Sequence, residues 1–422
     1  MRFSRPLLDA CTAAFAAVLP LEQPADALLS AFFRSHPKIG QRDRATIADS
    51  VYAALRRRRL LERVAATTSP RRLALATWTA LLGANLREID PWLRGDEAEW
   101  LAAAKREARS PQPLEIECEL PDWVIERLRG RLDDRALLEL ARGLLQGAPL
   151  DLRVNPMKIS REMALERLAA DGLPAAATPY SPEGIRLEGK PQINRHPLFL
   201  EGGIEIQDEG SQLLCHLVAP KRGEMVVDFC AGAGGKTLAL GALMRSTGRL
   251  YAFDISPKRL AGLKPRLARS GISNVHPQRI EGVNDARVKR LSGKIDRVLV
   301  DAPCSGLGTL RRNPDMKWRQ TPQDVAELAE KQKSILAAAA RLVKPGGRLV
   351  YATCSILEEE NRRIVEDFLE RNDRFAVRPA GEVLEKGGIE LDMGEYFELW
   401  PHRHGTDGFF AEIGRASCRE RV

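Results

Sequence analysis

Long apolar runs are missing from this 422-residue sequence. Stretches such as SILAAAARLV fall well short of the roughly 20 residues that a membrane span needs, so no membrane partner is expected. Cysteine is sparse: seven residues without dense or regular spacing exclude a disulfide framework and fit a reducing cytoplasm. The six histidines form no ligand pattern with them, so no metal is expected. A secretory leader is not expected either. Arg2 and Arg5 precede an apolar run, but Asp9 interrupts it, and an amphipathic first helix is the expectation.

What is present points to a globular chain of two to three domains, with 44% hydrophobic and 29% charged residues. Residues 1–110 carry 18 Lys/Arg against 12 Asp/Glu, and residues 413–422 carry 3 against 1; the rest is neutral. A basic segment beside a neutral body suggests a polyanion, with nucleic acid first among candidates, against the alternative of a solvated helix face. The final IGRASCRERV can be encoded in one frame by a common sequencing-library adapter. Residues 413–422, Cys418 included, are therefore read as an adapter-derived tail, and fold reasoning stops near Glu412.

Apolar residues recur at helical spacing from Leu7 to about Arg109, which predicts a helical domain over 1–110. Two prolines in EARSPQPLEIECELP mark a linker. Residues 118–203 mix helices with short strands as a small α+β unit. Over 204–412 the short apolar strands EMVVDF, RLYAFD, DRVLVD and GRLVYAT alternate with helices, predicting an α/β domain on a parallel sheet covered on both faces. Ligands of such sheets sit beyond the C-terminal strand ends.

Each motif lies at one of those ends. The loop Cys230, Ala231, Gly232, Ala233, Gly234, Gly235, Lys236 precedes a helix. A phosphate-cradling loop would need glycine at 230, and a dinucleotide fingerprint would need one at 237. A glycine turn remains, with Asp254 closing the next strand where a ribose would hydrogen-bond, so a nucleoside-containing cofactor is indicated; the alternative is a tight structural turn. Asp301 to Gly306 reads DAPCSG, in which Pro303 stiffens a loop holding Asp301 and Cys304 at the sheet edge. Cys354 ends GRLVYAT. Ser355 and Glu358 form a capping-box pattern, which predicts Cys354 at a helix N-terminus, where the backbone dipole favours a thiolate. A lone cysteine at a strand end is usually structural; two at separate ends of one sheet point to chemistry.

DAPCSGLGTLRRNP, TCS with EEEN, DFCAGAGGKT, IQDEGSQLL and HGTDGFF together resemble the RNA cytosine-5 methyltransferases, specifically the bacterial ribosomal small-subunit RNA branch. The helical N-terminal region resembles that branch's antitermination-factor-type RNA-binding domain. The resemblance extends to about residue 412. It implies a Rossmann-like S-adenosylmethionine methyltransferase domain, an RNA substrate such as 16S ribosomal RNA presented as an unpaired loop, and a monomer. It further implies Cys354 as the nucleophile that adds to C6 of cytosine, Asp301 on the N3 edge of the base, and Cys304 in product release. Lys236 and the glycine loop would hold the methionine moiety, Asp254 the ribose and Asp285 the adenine edge, with Asp301 also bordering the cofactor. One departure is Ala233, where the family has proline. RNA contact is expected at Arg311, Arg312, Lys317, Trp318 and Arg319, through phosphates and base stacking; Trp318 is alternatively a core residue.

Three other classes fit less well. A DNA cytosine-5 methyltransferase would take its nucleophile from the Pro-Cys loop, and a dithiol oxidoreductase would keep its cysteines close in sequence. A non-catalytic RNA-binding module would lack saturable cofactor binding.

Overall fold

Helical periodicity in the N-terminal region becomes a set of packed helices: Arg5–Val18, Ala25–Ser35, Gln41–Arg56, Arg58–Ala65 and Pro70–Ala76. The computed structural model describes residues 3–417. Ser4 caps the first helix, its hydroxyl accepting from the Leu7 N–H at 3.3 Å. Leu8, Phe15, Ile47, Leu55 and Trp78 are fully buried between the helices, each Leu or Phe contributing roughly 1.5–3 kcal/mol. Trp78 keeps its indole N–H satisfied by donating to Ser50 Oγ at 3.0 Å.

The unit built on these helices runs to Gly147 and also takes in Thr309–Thr321. Helices Asp122–Arg129 and Asp134–Leu145 therefore pack with it. Glu119, just before them, is fully buried and accepts from the backbone N–H groups of Arg59 (2.9 Å) and Leu60 (3.0 Å).

The second unit comprises Ala148–Gly308 and the chain from Pro322 on. Its small sheet has strands β1 (Leu150–Val154), β2 (Ala175–Ala177), β3 (Gly184–Leu187) and β4 (Ile204–Ile206), in the order β2-β3-β1-β4 and antiparallel throughout. The large sheet has β5 (Met225–Asp228), β6 (Arg249–Asp254), β7 (Val275–Arg279), β8 (Ile295–Asp301), β9 (Val343–Thr353), β10 (Phe375–Arg378), β11 (Phe397–Leu399) and β12 (Phe409–Ala416).

Strands β7-β6-β5-β8-β9 run parallel, with Val226, Val227, Val298, Leu299, Val300, Leu349 and Val350 buried. The expectation of a parallel sheet holds for these five and fails beyond β9, where β12 pairs antiparallel with β9, β10 and β11. The link from β11 to β12 is too short for the crossover that a parallel neighbour requires. Strand order reverses at β5, so a crevice opens at the carboxyl ends of β5 and β8. Ile413 and Ala416, in the segment read as adapter-derived, are buried within β12; Cys418 lies outside the described residues. No helix among the described residues is long and apolar enough to cross a membrane.

Candidate active site

Four strand ends supply the crevice. After β5 the chain turns through Cys230–Gly234 into the helix Gly235–Leu243, whose first-turn amides carry the positive end of the helix dipole. Gly234 has φ of +84°, and a Cβ there would collide with Leu263, so two constraints coincide at that position. The turn is fastened to β6, because Asp254 Oδ2 accepts from the Gly232 N–H at 2.8 Å and Oδ1 from the Ser256 N–H at 2.7 Å.

Beneath the turn, Asp228 is buried. Its Oδ2 accepts from Thr237 Oγ1 at 2.7 Å, and its Oδ1 has no partner among the described residues. Burial, opposed in part by the Thr237 hydrogen bond, pushes this carboxyl up to about 7. The Cys230 thiol is likewise raised by burial, with the nearby aspartates adding to it.

Lys236 donates to Asp301 Oδ2 at 2.7 Å, which brings the glycine loop and the end of β8 together. Burial opposes the lysine's charge, but the Asp301 carboxylate outweighs it and holds Lys236 above the usual lysine range. Among the described residues the Asp301 carboxylate is held through Oδ2 and no hydrogen bond reaches Oδ1.

Cys304 and Cys354, fifty residues apart, meet with their Sγ atoms 3.4 Å apart. The Cys304 thiol is pushed well up, first by its hydrogen bond to the Cys354 sulfur and then by burial. The capping-box expectation at Ser355 is corrected. Residues 358–360 form a short 3-10 turn, the α-helix begins only at Arg362, and the Ser355 hydroxyl donates to Glu360 Oε2 at 2.5 Å. Cys354 therefore does not sit on an α-helix N-terminus, because Glu360, rather than the helix amides, claims the serine.

Asp285 lies after β7 and caps its own short helix, Ala286–Lys289, accepting from the N–H groups of Glu281 (2.9 Å) and Arg287 (2.7 Å). These backbone bonds, with Arg287, hold its carboxyl below the usual range; no bond joins it to the glycine loop or Asp254.

The segment expected to meet RNA is largely turned inward. Arg311 and Lys317 are buried. Lys317 Nζ donates to the Arg56 carbonyl at 3.0 Å, and the Trp318 indole donates to the Leu55 carbonyl at 2.7 Å. Burial pulls the Lys317 amine down to about 7, with Glu119 opposing. Trp318 takes its core alternative; Arg312 is half-buried and Arg319 exposed.

Sequence reasoning missed several contributors. Buried Arg153 on β1 donates to the Gly235 carbonyl at 2.9 Å. The motifs IQDEGSQLL and HGTDGFF meet where the Asp407 N–H donates to Asp208 Oδ2 at 3.2 Å. Gly308 and Glu360 lock the cysteine loops. Their partners lie far away in sequence, so spacing carried no signal for them.

The five-strand parallel core with its antiparallel insertion is the Rossmann-like fold of the S-adenosylmethionine-dependent methyltransferases. Solved structures agree. The crystal structure of PH0851 superposes with a TM-score of 0.76 at 27% identity, covering 98% of this chain and 100% of that one. A methyltransferase homolog protein from Pyrococcus horikoshii gives 0.61 at 29%, covering 72% and 97%.

Residues 215–413 match the family described as 16S rRNA methyltransferase RsmB/F, and residues 120–194 match the ferredoxin-like domain of RsmF/B-like methyltransferases. Both matched segments belong to this family. It is 37% identical over 292 residues to the Synechocystis protein named "Probable ribosomal RNA small subunit methyltransferase B", covering 69% of this chain and 65% of that protein. To the ribosomal RNA small subunit methyltransferase B of Erwinia tasmaniensis it is 34% identical over 300 residues, covering 69% and 65%. The chain thus spans just under two thirds of the length of these curated relatives.

Proposed function

We propose that the protein forms 5-methylcytosine in RNA, most fittingly in small-subunit ribosomal RNA, through a transient bond from Cys354 to C6 of the base. The observation that carries this reading is the pair of cysteine sulfurs 3.4 Å apart beside the glycine turn. Two sulfurs in contact let attack and release fall to separate residues.

The residues present fit S-adenosylmethionine. Asp228 leaves a buried carboxylate oxygen without a partner, and a Cβ at Gly232 would meet nothing within 4 Å, so a ligand can approach the backbone there. An acid-rich site of Asp228, Asp254 and Asp301 suits a cationic ligand carrying ribose hydroxyls. Cys230 to Lys236 would line the methionine end, Asp254 the ribose and Asp285 the adenine side. When bound, the cofactor supplies an electrophilic methyl group.

C5 of cytosine is a weak nucleophile, and adding the Cys354 sulfur at C6 makes it reactive. Asp301 Oδ1, held in place through the Oδ2 bond to Lys236, meets the N3 edge of the base. After methyl transfer the C5 proton leaves to a base, the C6–sulfur bond breaks and the ring recovers its double bond, with Cys304 assisting this release. The base must leave its stack to reach Cys354, so an unpaired RNA loop is the substrate form. Of the segment expected to meet RNA, Arg319 is exposed, its guanidinium also pairing with Asp315 Oδ2 at 3.5 Å, while Arg311, Lys317 and Trp318 are committed inward.

Replacing Cys354 with alanine should lower methyl transfer by about 10³-fold or more. Cys304→Ala should instead accumulate a covalent protein–RNA adduct that resists denaturing gels. Normal turnover in the Cys354 variant rejects the reading. Bisulfite sequencing of ribosomal RNA from a deletion strain locates the modified cytosine.

A further inference from the structure

Between the two cysteine loops lies a carboxylate that none of these steps uses. Glu360 is fully buried. Its Oε1 accepts from the Ser305 N–H at 2.7 Å and from Gln332 Nε2 at 3.1 Å, and its Oε2 accepts from the hydroxyls of Ser305 and Ser355, both at 2.5 Å. Ser305 follows Cys304 directly and Ser355 follows Cys354, so one side chain holds both nucleophile loops. Its backbone is fixed as well: the Tyr351 hydroxyl donates to the Glu360 carbonyl at 2.6 Å, and Asn361 Nδ2 donates to the Ser355 carbonyl at 3.0 Å. No Lys or Arg among the described residues pairs with this carboxylate. A buried charge without a counter-ion carries a desolvation cost of several kcal/mol, partly offset here by four charge-assisted hydrogen bonds. A neutral acceptor would tie the loops without that cost, so the charge itself calls for a purpose.

We propose that Glu360 is a positioning residue for the cysteine pair: its carboxylate fixes the Cys304 loop against the Cys354 loop and sets a negative charge beside Cys304. The inference rests on the roles assigned above to the two cysteines. Cys304 is raised first by its hydrogen bond to the Cys354 sulfur, then by burial and by the charges of Cys354 and Glu360, with the Gly306 backbone N–H opposing, and Tyr351 is raised first by burial and then by Cys304 and Glu360. Asp301, on the strand leading to Cys304, is paired with Lys236, and the helix Pro322–Ala340 presents the neutral Gln332 to Glu360.

Glu360→Gln retains an acceptor oxygen, and the serine hydroxyls can rotate to suit its amide, so it keeps the tie and removes the charge. Glu360→Ala removes both. In a Cys354→Ser background, where Cys304 is the one thiol of the pair, iodoacetamide labelling of Cys304 is followed by peptide mass spectrometry against pH. The glutamine variant should label about tenfold faster near pH 8, the change that a one-unit fall in thiol pKa gives. With Cys354 present, Glu360→Ala should lose about a hundredfold in kcat, with KM for RNA unchanged, and Glu360→Gln should recover most of that loss.

Circular dichroism checks folding. If the alanine variant unfolds, the Ser305→Ala/Ser355→Ala double variant carries the kinetic test with the same expected loss. An unchanged labelling profile in folded Glu360→Gln, or undiminished kcat once the tie is cut, overturns the proposal. Labelling that shifts as expected, in a protein whose native form methylates no RNA, upholds Glu360 and overturns the functional reading instead.

Discussion

At Gly308 a methyl group would collide with the backbone carbonyl of Gly408 and crowd that of Cys354. The Gly308 N–H donates to the Cys354 carbonyl at 2.8 Å, and its own carbonyl accepts from the Gly408 N–H at 2.8 Å. Every neighbour is backbone, so none can rotate away. Gly308→Ala should therefore displace the Cys354 loop and cut methyl transfer about a hundredfold, checked by single-turnover kinetics with cofactor binding as the control. The cysteines and Asp301 were legible in the sequence because each follows a strand at a fixed offset. Gly308 and Glu360 were not, because what makes them necessary is the loop fifty residues away. Ser355 was misread for a different reason: the local pattern pointed to a cap with Glu358, whereas the hydroxyl goes to Glu360, five residues on.

Among the elements, β5, β6, β8 and β9 were legible as short apolar runs between helices, while the antiparallel insertion was not, since pairing direction follows from connections rather than composition. Strand β12 carries an oddity that can be tested. Glu412 is buried, and burial, with Glu395 and Glu366 adding, raises its carboxyl to about 8. The folded form therefore holds a proton that the unfolded chain, with an ordinary carboxyl near 4.5, has released. Between those two values stability falls as pH rises, and above about 8 the full loss is present. Glu412→Gln removes this dependence. Its melting temperature should exceed the wild type's by a few degrees at pH 8 and match it near pH 4, as read by thermal melts across that range.

In the molecule as a whole, the helical unit is discontinuous in sequence. Residues 309–321, which spacing and charge had marked for RNA, complete it instead: Asp315 Oδ2 accepts from the Ala25 N–H at 3.2 Å, and Lys317 and Trp318 cap the end of the Gln41–Arg56 helix. A fragment of residues 1–147 should melt at least several degrees below the same fragment with 309–321 attached by a flexible linker, by circular dichroism. Domain boundaries drawn along the chain could not foresee this. Of the four arginines 56–59, Arg56 donates to the Arg311 carbonyl, Arg57 and Arg58 pair with Glu119 and Glu62, and Arg59 donates to the Leu120 carbonyl and Asp122. Much of the positive charge in this segment is answered inside the protein.

Strand β12 lies between β9 and β10, yet follows both in the chain. While the polypeptide emerges from the ribosome, β9, which leads into Cys354, keeps one flank of unsatisfied amides and carbonyls until Phe409–Ala416 arrives to cover it. Cys354 is thus among the last of the described site residues to acquire its final surroundings, and a chain halted before that point should expose an unpaired strand edge.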